Sequence, residues 1–247
     1  MSLDDLLLLA PALAVGILVL LTHVPLGRQV LARGIIFLDL AIAQLAATGA
    51  LLTMLLVHDH DAWQAQAGAG AAALAGALLL NLADRRWPEI QEAVIGSTFV
   101  LAATLALLLL AADPHGGEAL RDALAGQILW VTWEQLPVLA GATAAVLLLA
   151  RYGRGRFFAF YLPFALAVTV SVQLVGVYLV FSSLILPALA VRRIAAPRRA
   201  VLVALLAGTL GYALGLTVSF VADLPAGPAC VWGLAATALG TGLLVRR

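Results

Sequence analysis

The chain predicts an all-α fold, a polytopic transmembrane helical bundle, and three observations carry that expectation. Of its 247 residues 64% are hydrophobic and only 11% are charged, with a mean hydropathy of +1.07; a soluble domain needs more polar surface than this to cover its core. The apolar residues fall into runs of roughly 20, the length a helix rising 1.5 Å per residue needs to cross about 30 Å of hydrocarbon. The arginines gather in alternate connections, the pattern expected when basic loops stay on the cytoplasmic side.

In chain order, Leu3 to Leu21 is the first predicted span, and the Pro/Gly stretch PLGRQVLAR, with Arg28 and Arg33, predicts a cytoplasmic turn after it. Gly34 to Val57 is the second span and ends in His58, Asp59, His60 and Asp61. Ala65 to Ala83 returns to Arg85 and Arg86, and Val94 to Ala112 leads to the acidic, histidine-bearing loop DPHGGEALRD, whose Arg121 is the one basic residue on the wrong side. Leu136 to Ala150, with a start as early as Ile128, comes back to Arg151, Arg154 and Arg156. Arg156 and Arg192 both belong inside, so the apolar region between them must go in and out again. It does so as two short spans meeting near Gln173 and Gly176, or as a span plus a re-entrant helix. Ala200 to Val221 then crosses to the turn DLPAGP, and Ala229 to Val245 returns to Arg246 and Arg247. The sum is about eight or nine spans in one transmembrane domain over residues 1–247, N-terminus outside and C-terminus inside. Small residues at helical spacing in GAGAAALAG, from Gly68, and GTLGYALG, from Gly208, predict close helix approach.

Composition also excludes classes of function. A net charge of +1 suggests no nucleic-acid partner, and all the basic residues are arginine. The single cysteine, Cys230, lies in an apolar stretch and is expected as a small core residue, with no intramolecular disulfide or thiolate cluster possible. The first apolar run follows Asp4 and Asp5 instead of a basic segment and is read as a retained span, not a signal peptide. There is no GxxxxGKS phosphate loop, no HExxH and no GxSxG elbow, so no catalytic constellation is present and the chain is not expected to be an enzyme.

The stretch from Val172 to Arg193, VQLVGVYLVFSSLILPALAVRR, resembles a "VVGxLLVxxLLIxPAxxAR"-like signature. It belongs to the integral-membrane permease subunits of ATP-binding-cassette importers for zinc, manganese or iron. Four more stretches match that family in order: PLGRQVLARGIIFLDLAIAQLAATG from Pro25, EAVIGSTFVLA from Glu92, GQILWVTWEQL from Gly126 and DLPAGP from Asp223. The resemblance implies a bundle related to the permeases for vitamin B12 and siderophores, forming a homodimer in the bacterial cytoplasmic membrane. It implies a permease of an ATP-driven divalent metal importer working by alternating access. The partners would be a separate ATPase subunit, on which ATP is bound and hydrolysed, and an extracytoplasmic metal-binding protein. No permanently bound cofactor is implied; the divalent metal is cargo. Two alternatives are a stand-alone secondary transporter or channel, and a permease-like subunit that does not transport.

Two departures from the family pattern shape the expected site. The family's second-span histidine is replaced by Gln44 when the following glycine is matched to Gly49, and Asp39 then stands one residue out of register with the family's aspartate. Asp39 and Gln44 are the candidate translocation-path residues, although five residues on an ideal helix separate them by about 140°. The connection ARYGRGRFFAF, from Ala150, is shorter than the family's loop with its "DxAxxxG" coupling helix. Its Arg151, Arg154 and Arg156 are the expected coupling residues. His58, Asp59, His60, Asp61 and His115 are ligand-capable and form a possible external metal entry, since imidazole and carboxylate suit zinc and manganese; a solvated loop is the plainer reading. His23 is expected at the membrane interface, Trp130 and Trp133 in an aromatic belt or short external helix, and Glu92 and Glu134 as gating or capping groups.

Overall fold

In the computed structural model, residues 3–57, 62–110 and 128–245 are described. Nine α-helices account for most of them: α1 Leu3–Arg33, α2 Leu38–Leu56, α3 Ala62–Arg86, α4 Gln91–Leu110, α5 Leu136–Tyr152, α6 Leu162–Val175, α7 Val177–Ala190, α8 Pro197–Ala222 and α9 Ala226–Leu244. Short 3-10 turns at Pro88–Ile90, Ile128–Trp130 and Trp133–Gln135 and a π-helical turn at Phe157–Tyr161 complete the described elements. Among the described residues eight helical segments are long and apolar enough to cross a membrane, and α7 is a shorter apolar helix.

The first expected turn is absent, and the reason is a packing contact. Helix α1 runs unbroken to Arg33 through Pro25 and Gly27. A side chain at Gly27 would strike the backbone carbonyl of Leu184, so this glycine permits helix-to-helix approach and does not make a turn. Leu26 and Val30 continue the buried stripe begun by Val15 and Val19, and that apolar face outweighs the donor Pro25 lacks. The chain turns instead at Gly34, at φ +72°. His23 is consequently a mid-helix residue, fully buried, and not the interface residue expected.

The break near Gly176 is where the sequence places it. Gly176 has φ +80°, a conformation costly to any residue with a Cβ; its N–H closes α6 on the Val172 carbonyl at 2.9 Å and its carbonyl accepts the Val180 N–H that opens α7 at 3.1 Å. With 14 residues, α7 rises only about 21 Å, short of a full crossing. Pro187 inside α7 is tolerated among buried neighbours. Ser183 donates to the Leu179 carbonyl at 2.6 Å and meets the buried Tyr212 hydroxyl at 2.7 Å.

Contacts divide the chain into two compact units, residues 1–33, 124–144 and 171–247 in the first and residues 34–123 and 145–170 in the second. In the first unit α7, α8 and α9 pack on one another and α1 packs on α7 and α8. Gly211 and Gly215 of α8 abut Leu234 and Cys230 of α9, and Gly208 abuts Leu20 of α1. Cys230 is wholly buried. Asp223 ends α8 in the left-handed region at φ 52°, its N–H bonded to the Ser219 carbonyl. In the second unit α2 is flanked by α3 and α4. Gly68 and Gly76 of α3 lie against Gly49, Thr53 and Leu45 of α2, which confirms both small-residue stripes as close-packing devices.

Candidate functional site

The second unit buries several polar side chains among its helices. Asp39 is the second residue of α2 and only 1% exposed. Its carboxylate sits at the N-terminal, electropositive end of the helix. Its Oδ1 nevertheless has no hydrogen-bond partner, and an unsatisfied buried acceptor costs about 1–3 kcal/mol.

Gln44 is also buried. The separation around an ideal helix is real, but both residues are enclosed because α3 and α4 cover α2 over a wide arc, burying nine of its residues from Leu38 to Gly49. One turn beyond Gln44, the Thr48 hydroxyl bonds the Gln44 carbonyl at 2.8 Å and the Ala102 carbonyl of α4 at 3.1 Å.

Three further residues carry orphaned oxygens in this unit: Thr169 of α6, Asn81 and Glu92. Asn81 of α3 is 2% exposed and its Oδ1 has no partner. Helices α2 and α3 run antiparallel, since Gly68 faces Gly49 while Gly76 faces Leu45 and Ile42. Continuing that register brings Asn81 to the level of the first turn of α2, where Asp39 sits. Glu92, in the first turn of α4, accepts the Phe37 N–H at 3.3 Å with Oε1 and leaves Oε2 buried without a partner. The same end of α2 thus has three buried acceptor oxygens whose hydrogen-bonding capacity is unspent. Sequence reasoning saw Glu92 only as a cap or gate and missed Asn81, because a lone asparagine before ADRR reads as the end of a span. Its signal was a helical offset: Asn81 continues the buried Ala73, Ala77 row.

Of the expected coupling residues, Arg156 is bound to Asp84 of α3 in an ion pair at 2.5 Å, Arg151 lies over the Tyr152 ring and Arg154 is exposed. His58, Asp59, His60, Asp61 and His115 lie outside the described residues, and among the described residues no three His, Cys, Asp or Glu side chains form a metal cage. His23, in the first unit, is held by the Val19 carbonyl at 2.9 Å on Nδ1 and by the Ser171 hydroxyl at 3.3 Å on Nε2, which commits both ring nitrogens to packing. Glu134 lies in an exposed 3-10 turn beside the exposed Trp130 and Trp133.

Comparison with known proteins agrees with this architecture. The fold is similar to PsaBC from Streptococcus pneumoniae in complex with Fab, with a TM-score of 0.73 and 23% identity over 95% of this chain and 90% of that one. It is also similar to an inward-facing structure assigned to the metal-chelate type of ABC transporter, with a TM-score of 0.68 and 16% identity over 95% of this chain and 85% of that one. Among curated proteins none matches significantly. The model of the ABC 3 transport family matches residues 5–163 and 154–244, nearly the whole chain, and the chain therefore belongs to that family, as a membrane-spanning permease of ABC transport.

Proposed function

We propose that this permease imports a divalent metal cation across the bacterial cytoplasmic membrane, as one domain over residues 1–247 that pairs with a second copy. A separate ATPase subunit hydrolyses ATP and an extracytoplasmic binding protein delivers the cargo. Family membership supports the transport class. The observation that carries the cargo is the buried carboxylate of Asp39, one oxygen of which has no hydrogen-bond partner, with the Asn81 and Glu92 oxygens in the same unit. A dehydrating divalent cation needs oxygen ligands to replace its water, and a charged carboxylate supplies far more attraction than a neutral amide dipole. A few oxygens in place of a closed cage suit a passing ion: binding must be weak enough for release. Alternating access would expose this path first to the binding protein and then to the cytoplasm. Arg151, Arg154 and Arg156 border the loop through which the ATPase would act, with Arg154 the most available. The loop residues His58, Asp59, His60, Asp61 and His115 would serve at the external entry.

Proteoliposomes containing the permease with its ATPase, loaded with a metal-sensitive dye, test this reading. ATP-dependent entry of zinc or manganese, abolished by Asp39→Asn, is the expected result. Entry at the same rate without the ATPase, or undiminished entry through Asp39→Asn, would remove it.

A further inference from the structure

Where α7 and α9 end together, the first unit has a groove of about 270 Å³. Its walls are Leu186 and Leu189 of α7 and Ala238, Leu239 and Gly242 of α9, and its only polar side chains are those of Arg192 and Arg193. Both arginines are exposed, and neither has a carboxylate within ion-pair distance among the described residues. Arg192 is steadied by a hydrogen bond from Nη1 to the Leu189 carbonyl at 3.1 Å, which leaves its other N–H groups for an outside acceptor. Arg198 and Arg199 at the start of α8 add two more exposed cations nearby in sequence.

We infer that this groove binds an anionic phospholipid, with an acyl chain along the α7–α9 walls and the phosphate on Arg192 and Arg193. The α9 wall belongs to a helix long enough to span the membrane, and the α7 wall to a shorter apolar helix, so hydrocarbon is the solvent of the apolar part. The guanidinium pair at one end supplies the planar donors that phosphate oxygens match. By the positive-inside rule this end faces the cytoplasm, the side on which basic pockets between helices recognise anionic headgroups. Other occupants fit less well. A second copy seated here through a two-fold axis would bring the same arginines against each other. A soluble partner could meet the arginines but could not enter an apolar groove within the membrane. The inference does not depend on which cargo is carried.

Native mass spectrometry of the purified permease tests it, with phosphatidylglycerol, phosphatidylcholine and inorganic phosphate as probes. Phosphatidylglycerol should be retained about tenfold better than phosphatidylcholine, and Arg192→Gln with Arg193→Gln should erase that preference. Both changes are on exposed side chains and leave the fold intact. Filling the groove with Gly242→Phe, where an added Cβ meets nothing nearer than the Ala190 carbonyl at 3.9 Å, should reduce retention of both lipids. A phosphatidylglycerol with a photoreactive acyl chain covers the case in which that variant fails to fold, and should label residues 186–190 and 235–243 in the unaltered protein. Equal retention of the two lipids, no change in the arginine variant, displacement by inorganic phosphate, or labelling confined to other helices would each overturn the assignment. So would a disulfide between two copies formed through Ala238→Cys.

Discussion

Glu92 caps the helix on which Asp39 stands: its Oε1 accepts the N–H of Phe37, the residue immediately before α2, across 55 positions of sequence. Helix α4 thereby holds the entrance of α2, and its first turn leaves a second carboxylate oxygen on the same side of the unit.

That relation separates two roles for Glu92. Glu92→Gln keeps a carbonyl oxygen for Phe37, whereas Glu92→Ala removes the acceptor and should cost about 1–2 kcal/mol. If the negative charge also assists the cation, Glu92→Gln will melt like the wild type but transport more slowly. Thermal melting in detergent together with metal uptake decides this, and equal uptake in the two proteins would reduce Glu92 to a cap.

The glycines of α1 and α3 predict opposite responses to the same substitution. Gly27→Ala drives a methyl into the Leu184 carbonyl, which is backbone and cannot swing aside, and overpacking of this kind costs about 1–3 kcal/mol. Gly70→Ala meets nothing within 4 Å and should be neutral or stabilising by about 0.5–1 kcal/mol through helix propensity. Melting temperatures of the two purified variants check the pair; a tolerant Gly27→Ala would mean that α1 and α7 are not in that close contact.

Those same glycines show how far sequence reasoning reached. Hydropathy and arginine placement were enough to find the spans, and the conflict between Arg156 and Arg192 placed the break at Gly176, where a positive φ requires glycine. Pro25 and Gly27 misled because a Pro/Gly pair signals a turn in water, while in a bundle the same residues fit a continuous helix whose buried neighbours hold it. His23 was misplaced for the same reason, since its depth depends on where α1 ends. At the site, Asp39 and Gln44 were legible as costly polar residues in an apolar span. Their common burial was not, because it depends on how many helices surround α2, and Asn81 emerged only from the antiparallel register of α3.

The Arg156–Asp84 pair bears on coupling. The Arg156 side chain is 52% exposed and that of Asp84 only 11%, so the pair contributes about 1 kcal/mol or less after solvent screening. Arg156→Ala and Asp84→Asn should lower stability by similar small amounts, and the double variant should be no worse than either. Arg154→Ala, with an exposed side chain, should leave melting unchanged and weaken co-purification of the ATPase. Loss of the ATPase in Arg156→Ala but not in Arg154→Ala would exchange the two roles.

The sharpest prediction concerns Asp39, Gln44 and Asn81 together. Asp39→Ala should abolish metal uptake while membrane expression persists, because it removes the only carboxylate among the three. Gln44→Ala should slow uptake less, since an amide oxygen offers a dipole where a carboxylate offers a full charge. Asn81→Leu keeps the volume and discards the orphaned oxygen; it should stabilise the fold, because the unsatisfied acceptor is gone, and at the same time slow transport. A merely structural asparagine could not produce that opposition, in which stability rises as uptake falls. Gln44→His restores an imidazole, and its nitrogen should shift preference from manganese toward zinc. Uptake of the two metals in proteoliposomes of the complete transporter, beside melting curves, measures all four variants. Wild-type uptake by Asp39→Ala would take the path off α2, and a destabilised Asn81→Leu would show that the Asn81 amide is satisfied in the working protein.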